Sequence, residues 1–202
     1  MNEIALIEAA QQGNVDAFQI LVTTYQHLLY NVAYRILGDG DAADDATQQA
    51  FIAAYRNLYR FRGAGFKSWL LRILTNACYD ELRRWKSRPS TSLEALGADH
   101  SDDDSSWLVD PGEGPEAYVQ RRELSQKIQQ GLDTLPAEQR IILVLCDIHG
   151  LSYEEAAEAT NTQVGTVKSR LSRARGKMRE YLQRTPEPVQ RPCRLVAVAG
   201  MA

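Results

Sequence analysis

Ser152-Tyr153-Glu154-Glu155-Ala156-Ala157-Glu158-Ala159-Thr160-Asn161-Thr162-Gln163-Val164-Gly165-Thr166-Val167-Lys168-Ser169-Arg170-Leu171 decides how this chain folds. Ser152, followed three residues later by Glu155, forms a capping box, so a helix starts there and covers about Tyr153 to Thr160. Asn161-Thr162-Gln163 breaks the pattern, and a second helix runs from Val164 to about Gln183. Two helices joined by so short a turn predict a helix-turn-helix.

The second helix carries the chemistry. Val164, Val167, Leu171, Ala174 and Met178 line one face, while Lys168, Arg170, Arg173, Arg175, Lys177, Arg179 and Arg184 take the rest, opposed only by Glu180. Residues 164 to 184 therefore carry a net +6. A merely solvated helix normally intersperses both signs, so charge of one sign favours a phosphate-bearing partner. A helix-turn-helix lays its second helix in the major groove, N-terminal residues toward base edges and cations on phosphates. Gly165 and Thr166 at the helix start would let backbone amides approach a phosphate.

Upstream, Leu124, Ile128, Leu132 and Leu135 recur at helical steps, and Pro136 suits the first turn of a further helix carrying Ile141 to Leu145 and stopping at Gly150. The N-terminal part is helical as well. Phe18, Leu21, Val22, Tyr25, Leu28, Leu29 and Val32 form one stripe, with Asn14 as N-cap. A second helix from about Ala42 to Leu58 turns Ala43, Ala50, Phe51, Ala54 and Leu58 inward. A third begins near Phe66 and buries Phe66, Trp69, Leu70, Ile73, Ala77 and Leu82. No stretch alternates like a strand.

The whole chain of 202 residues has a net charge of −3, which taken alone argues against nucleic-acid binding. By segment, however, residues 1–90 carry +1, residues 91–116 carry −8 and residues 117–202 carry +4. The acidic middle, rich in Gly, Pro and Asp, reads as a flexible linker. The expected architecture is all-α: two small helical domains, 1–90 and 117–184, joined by an acidic linker at 91–116 and followed by a tail at 185–202. With 44% apolar residues the chain can build real cores, which excludes collagen-like and fully disordered classes. No apolar run approaches the length of a membrane span, and no export signal is visible. The three cysteines, Cys78, Cys146 and Cys193, have no metal or redox spacing, which favours a reducing, cytoplasmic setting.

Leu135-Pro136-Ala137-Glu138-Gln139-Arg140, then Gly150-Leu151-Ser152-Tyr153-Glu154-Glu155-Ala156-Ala157 and Val164 to Arg175, resemble region 4 of extracytoplasmic-function (ECF) sigma factors, the group IV relatives of sigma-70. Asp44-Asp45-Ala46-Thr47-Gln48-Gln49-Ala50-Phe51 is similar to the region 2 segment that docks on the β′ clamp helices of RNA polymerase. Phe61-Arg62-Gly63-Ala64-Gly65-Phe66-Lys67-Ser68-Trp69, with Asn76, resembles the part of region 2 that opens the −10 element. The resemblance implies a non-enzymatic initiation factor without cofactor or metal. It implies as partners core RNA polymerase (β′ clamp helices and β flap), promoter DNA and an anti-sigma factor. By the same resemblance, Asp44, Asp45, Gln48 and Phe51 hold the clamp. Arg60, Phe61, Arg62, Phe66, Lys67, Arg72 and Asn76 engage the −10 element. Lys168, Ser169, Arg170 and Ser172 read the −35 element, with Gly165, Thr166, Arg173 and Arg175 at phosphates.

The residues leave other readings open. Phe66 and Trp69 also fit a core stripe, and scattered carboxylates such as Asp44 and Asp45 also occur on plain solvent faces. Gly63-Ala64-Gly65 is one residue shorter than the loop of many members, which leaves the recognised −10 base undefined. The alternative function is a stand-alone regulator binding an operator without polymerase. His27, His100 and His149 lack ligand spacing, and Asp102-Asp103-Asp104 lacks a calcium-loop pattern, so it reads as linker. Cys78 and Cys146 read as core thiols. The tail, with Leu195 to Ala199 and Cys193, reads as a disordered end.

Overall fold

The structure, a computed structural model, describes residues 2–63, 65–87 and 115–184. Residues 91–114 of the expected linker, the tail with Cys193, and His100, Asp102, Asp103, Asp104 and Ala64 lie outside the described residues.

Among the described residues the chain is helical and holds no strand. Helices α1 (Glu3–Gln11), α2 (Val15–Leu37), α3 (Gly40–Asn57) and α4 (Phe66–Ser87) form the N-terminal layer, with a 3₁₀ turn at Leu58–Arg60. Helices α5 (Pro115–Asp133), α6 (Ala137–Leu143), α7 (Tyr153–Thr160) and α8 (Val164–Arg184) form the second, and α6 runs on as a π-helical segment at Val144–Ile148.

The helix boundaries have local causes. Asn14 Oδ1 accepts from the Ala17 amide at 3.0 Å, capping α2 as expected. Gly38, at φ 78°, ends α2 in the left-handed region, which glycine enters without a Cβ penalty. One residue later Asp39 caps α3 through the Ala42 amide at 2.8 Å. Ser152 and Glu155 form the reciprocal capping box that starts α7. Asn161 closes α7 in the left-handed region at φ 51°, the conformation that Asn tolerates better than most residues. The Thr162 amide then donates to the Ala157 carbonyl at 2.9 Å, so the helix-turn-helix turn is closed by backbone bonds.

The structure adds one helix to the sequence reading and corrects three expectations. Helix α1 has no clear stripe, yet Leu6, Ile7 and Ala10 are buried and Asn2 caps it. Leu124, expected inward, is 54% exposed because only the C-terminal half of α5, around Gln129, Gly131 and Leu132, reaches the core. The run Ile141–Leu145 is buried on every residue, and its second half winds as a π-helix rather than α. Helix α4 buries Leu71, Leu74 and Thr75 beyond its expected stripe, together with Cys78 as expected, while Trp69, Ile73, Ala77 and Leu82 are only half-buried. The cause is two-sided packing: α4 lies against α2 and α3 of its own layer and also against α7.

The two layers thus share one continuous apolar core. Polar contacts frame it. Arg140 Nη1 donates to the Ile36 carbonyl at the end of α2, at 2.8 Å. Arg35 donates to Ser125 Oγ at 2.8 Å and to Gln129 Oε1 at 3.3 Å. Ser68 Oγ donates to Glu155 Oε1 at 2.8 Å. Two substitutions separate local from core stability. Leu74→Ala, at a fully buried site, should cost about 2–5 kcal/mol in urea unfolding, and Ser152→Ala about 1 kcal/mol.

Candidate nucleic-acid interfaces and docking face

Helix α8 buries Val167, Leu171 and Ala174 against α6 and α7 and turns its basic side outward. Lys168, Ser169, Ser172, Arg173, Lys177 and Arg179 are exposed. The Lys168 ammonium lies 5.8 Å from the centre of the Tyr153 ring, which holds its stem against α7. Two of the expected contact residues are already engaged. Arg170 pairs with Glu138, its side chain only 22% exposed. Arg175 forms a two-point pair with Asp147, Nε to Oδ2 at 2.9 Å and Nη2 to Oδ1 at 2.6 Å, which strengthens its hold on its proton. At the helix start the Thr166 amide donates to the Gln163 carbonyl at 2.9 Å and is therefore unavailable to a phosphate. Gly165 is exposed with open space on its Cβ side.

The second basic surface surrounds an aromatic cluster. Phe61 meets Phe66 at 5.5 Å and Trp69 at 5.2 Å between ring centres, and Tyr25 meets Phe66 edge-on at 5.7 Å. Phe66 is 3% exposed, so its place is in the core and a stacking contact with a base is closed to it here. Phe61 remains half-buried at the cluster's edge. Helix α1, unread in the sequence, sets its position: Gln11 Nε2 donates to the carbonyls of Leu58 at 2.9 Å and Phe61 at 3.0 Å. Arg62 folds back onto the Tyr59 carbonyl at 2.9 Å, and Arg60 lies 5.2 Å from the Tyr59 ring centre. Lys67, Arg72 and Asn76 are exposed along the start and middle of α4.

On α3, Asp44, Asp45 and Gln48 are exposed and share a side of the helix with half-buried Phe51. Ile52 at 52% and Tyr55 at 47% exposure extend that side by a turn. The inward stripe gave no sign of them. Two apolar residues at outward positions of this acidic helix were the available signal, since contiguous exposed apolar side chains rimmed by polar ones are the pattern of interaction sites.

Between the layers, His149 caps the π-helical segment, and its Nε2 is buried with no hydrogen-bond partner among the described residues. Burial first, and then the nearby Lys67 and Arg35 charges, push its imidazole from its ordinary 6.5 down to about 4. Burial pushes the Cys78 thiol up to about 12, consistent with an unreactive core thiol, whereas Cys146, raised first by burial and then by Asp147, is half-buried at the core's edge and not within it.

An all-helical fold with an outward basic helix-turn-helix and a second face that joins cations to an aromatic cluster defines a DNA-binding class of protein. Residues 21–88 match the family "Sigma-70 region 2" and residues 125–178 the family "Sigma-70, region 4". An "RNA polymerase sigma-H factor" from Pseudomonas aeruginosa is 38% identical over 88% of this chain and 92% of its own length. An "ECF RNA polymerase sigma-E factor" from Escherichia coli K12 is 36% identical over 87% of this chain and 91% of its own length. The "ECF RNA polymerase sigma factor SigE" of Mycolicibacterium smegmatis is 37% identical over 85% of this chain, which spans 63% of that relative's length. Two solved structures resemble the fold: CnrH in complex with the cytosolic domain of CnrY, and the Bartonella quintana sigma factor RpoE in complex with the anti-sigma factor NepR. The first has TM-score 0.63 and 27% identity, covering 89% of this chain and 96% of that one. The second has TM-score 0.60 and 25% identity, covering 84% of this chain and 98% of that one. The chain belongs to the sigma-70 family as an ECF sigma factor, a non-enzymatic transcription initiation factor.

His149 sets a pH dependence with a definite sign. Its folded-state affinity for a proton is depressed, so as pH falls below 6.5 the unfolded chain takes up a proton that the folded chain refuses. Stability should therefore decline progressively between pH 6.5 and about 4. Urea unfolding of wild type and His149→Gln across that window should show the decline weakened in the variant. An identical decline in both would remove His149 from the interface argument.

Proposed function

We propose that this sigma factor binds core RNA polymerase through the acidic side of α3 and directs it to a promoter subset in the cytoplasm. The domain division that supports this is region 2 at 1–90, an acidic tether at 91–116 and region 4 at 117–184. Asp44, Asp45 and Gln48 accept Arg and Lys of the β′ clamp helices, while Phe51, extended by Ile52 and Tyr55, supplies apolar contact. The −35 duplex lies along the N-terminal half of α8, with Lys168, Ser169 and Ser172 toward base edges and Arg173 toward phosphate. Arg170 and Arg175 join them on release from Glu138 and Asp147. The −10 strand follows Arg60, Arg62, Lys67, Arg72 and Asn76, with Phe61 the aromatic group within reach of an unstacked base. Region 4 also meets the β flap. Because the two solved relatives are complexes, one of them named as containing an anti-sigma factor, we assign the same type of control here.

The observation that carries this reading is the separation of charge on one small fold: carboxylates and apolar groups exposed on α3, and the cations Lys168, Arg173, Lys177 and Arg179 exposed on α8. Run-off transcription with purified core polymerase tests it. Promoter-specific transcripts should appear only when the protein is added. Arg173→Ala should weaken promoter binding by roughly one phosphate contact, lowering the salt slope by about 1, and spare core association. Asp45→Ala should weaken core association and spare duplex binding by the helix-turn-helix. A protein that shifts an operator duplex alone and yields no transcript with polymerase would overturn the reading.

A further inference from the structure

Helix α1 reaches the aromatic cluster around Phe61 at both of its ends. At its start, Glu3 accepts a hydrogen bond from the Tyr25 hydroxyl, and the Tyr25 ring meets Phe66 edge-on. At its last residue, half-buried Gln11 donates through Nε2 to the carbonyls of Leu58 at 2.9 Å and Phe61 at 3.0 Å, 47 and 50 positions further along the chain. Leu6, Ile7 and Ala10 are buried between these ends, so the helix is itself anchored in the core.

The two carbonyls bracket the turn that presents Phe61. Leu58 opens the 3₁₀ turn, and its carbonyl also accepts the Phe61 amide at 3.0 Å. Phe61 leaves the turn in extended backbone, φ −64° and ψ 121°, and its carbonyl also accepts from Arg62 Nη1 at 3.3 Å. Bonds within the turn give it a shape but not an orientation. Gln11 supplies the orientation, because a carbonyl held in direction fixes its flat peptide unit, and here the units on both sides of the turn are held from another helix. Contacts of the Phe61 ring with Phe66 and Trp69 tolerate sliding, whereas hydrogen bonds weaken steeply when they bend.

We propose that Gln11 is a positioning residue for capture of the −10 strand: it holds Phe61 in the one geometry that receives an unstacked base, without meeting DNA itself. This rests on the function proposed above. A turn that is already ordered spares the strand the conformational entropy of ordering it, and the base whose stacking fits that geometry gains most. Gln11 thereby sharpens base preference on the −10 side and leaves the −35 side, which α8 carries, untouched.

The test uses holoenzyme assembled from core polymerase and the full chain, selecting from promoter-length DNA with an upstream and a downstream randomised block. The wild type should enrich a sequence in each block. Gln11→Glu keeps the size of the side chain and turns its donors into a carboxylate that only accepts, facing two carbonyls. It should flatten the downstream preference about tenfold, equivalent to about 1.4 kcal/mol, with the upstream preference and core affinity within about twofold of wild type. Gln11→Arg, which again offers paired donors, should restore the preference. Phe61→Ala should flatten the same block, and Gln11→Glu/Phe61→Ala should add less than about twofold, because both act through one ring. Should Gln11→Glu unfold, Gln11→Met removes the donors without adding a charge and gives the same readouts. An unchanged downstream preference, equal flattening of both blocks, no rescue by Gln11→Arg or additive losses in the double variant would overturn the proposal alone. A wild-type holoenzyme that enriches no sequence in either block overturns the functional reading and the proposal with it.

Discussion

Helix α4 is packed from two sides, and the arrangement of every working surface follows from that. Leu70, Leu71, Leu74 and Cys78 are removed from water between α2 and α3 on one side and α7 on the other. A helix in that position leaves only a narrow edge for solvent, and the polar residues Lys67, Arg72 and Asn76 occupy it. Because α7 leads by a three-residue turn into α8, the packing of α7 also fixes where the basic helix-turn-helix sits relative to the polar edge of α4.

The polar frame of the interface is modest. Arg140 is partly desolvated, which weakens its grip on its proton, while Asp133, 3.2 Å from Nη1, works in the opposite direction. Its contacts with the Ile36 and Asp133 carbonyls satisfy donors that would otherwise be buried unpaired, so they offset a cost more than they add stability. Arg35 and Ser68 contribute bonds of about 0.5–1.5 kcal/mol each, less where water reaches them. An interface of this kind closes two layers without locking them.

Local signals in the chain announced most of the helices: the Asn14 cap, the Gly38-Asp39 break, the capping box at Ser152 and the Asn161 turn each act within four residues. The basic outer side of α8 was equally legible, because periodicity and charge are both local. Three features were not. Helix α1 is held by Gln11 reaching the Leu58 and Phe61 carbonyls, a contact between positions far apart in sequence. The engagement of Arg170 and Arg175 depends on which carboxylates the fold brings beside them, Glu138 and Asp147. The burial of Leu71 and Leu74 needs α7 on the far side of α4, and no periodicity in residues 66–87 encodes a partner eighty residues away.

That interlayer contact also explains why the sum of charges misleads. Two carboxylates of α7 lower the net charge of the C-terminal domain without diluting α8: Glu155 accepts from Ser68 and Glu158 lines a groove with Arg72, both on the α4 side. The sum over the chain therefore averages an acidic α7 against a basic α8 that begins one three-residue turn later.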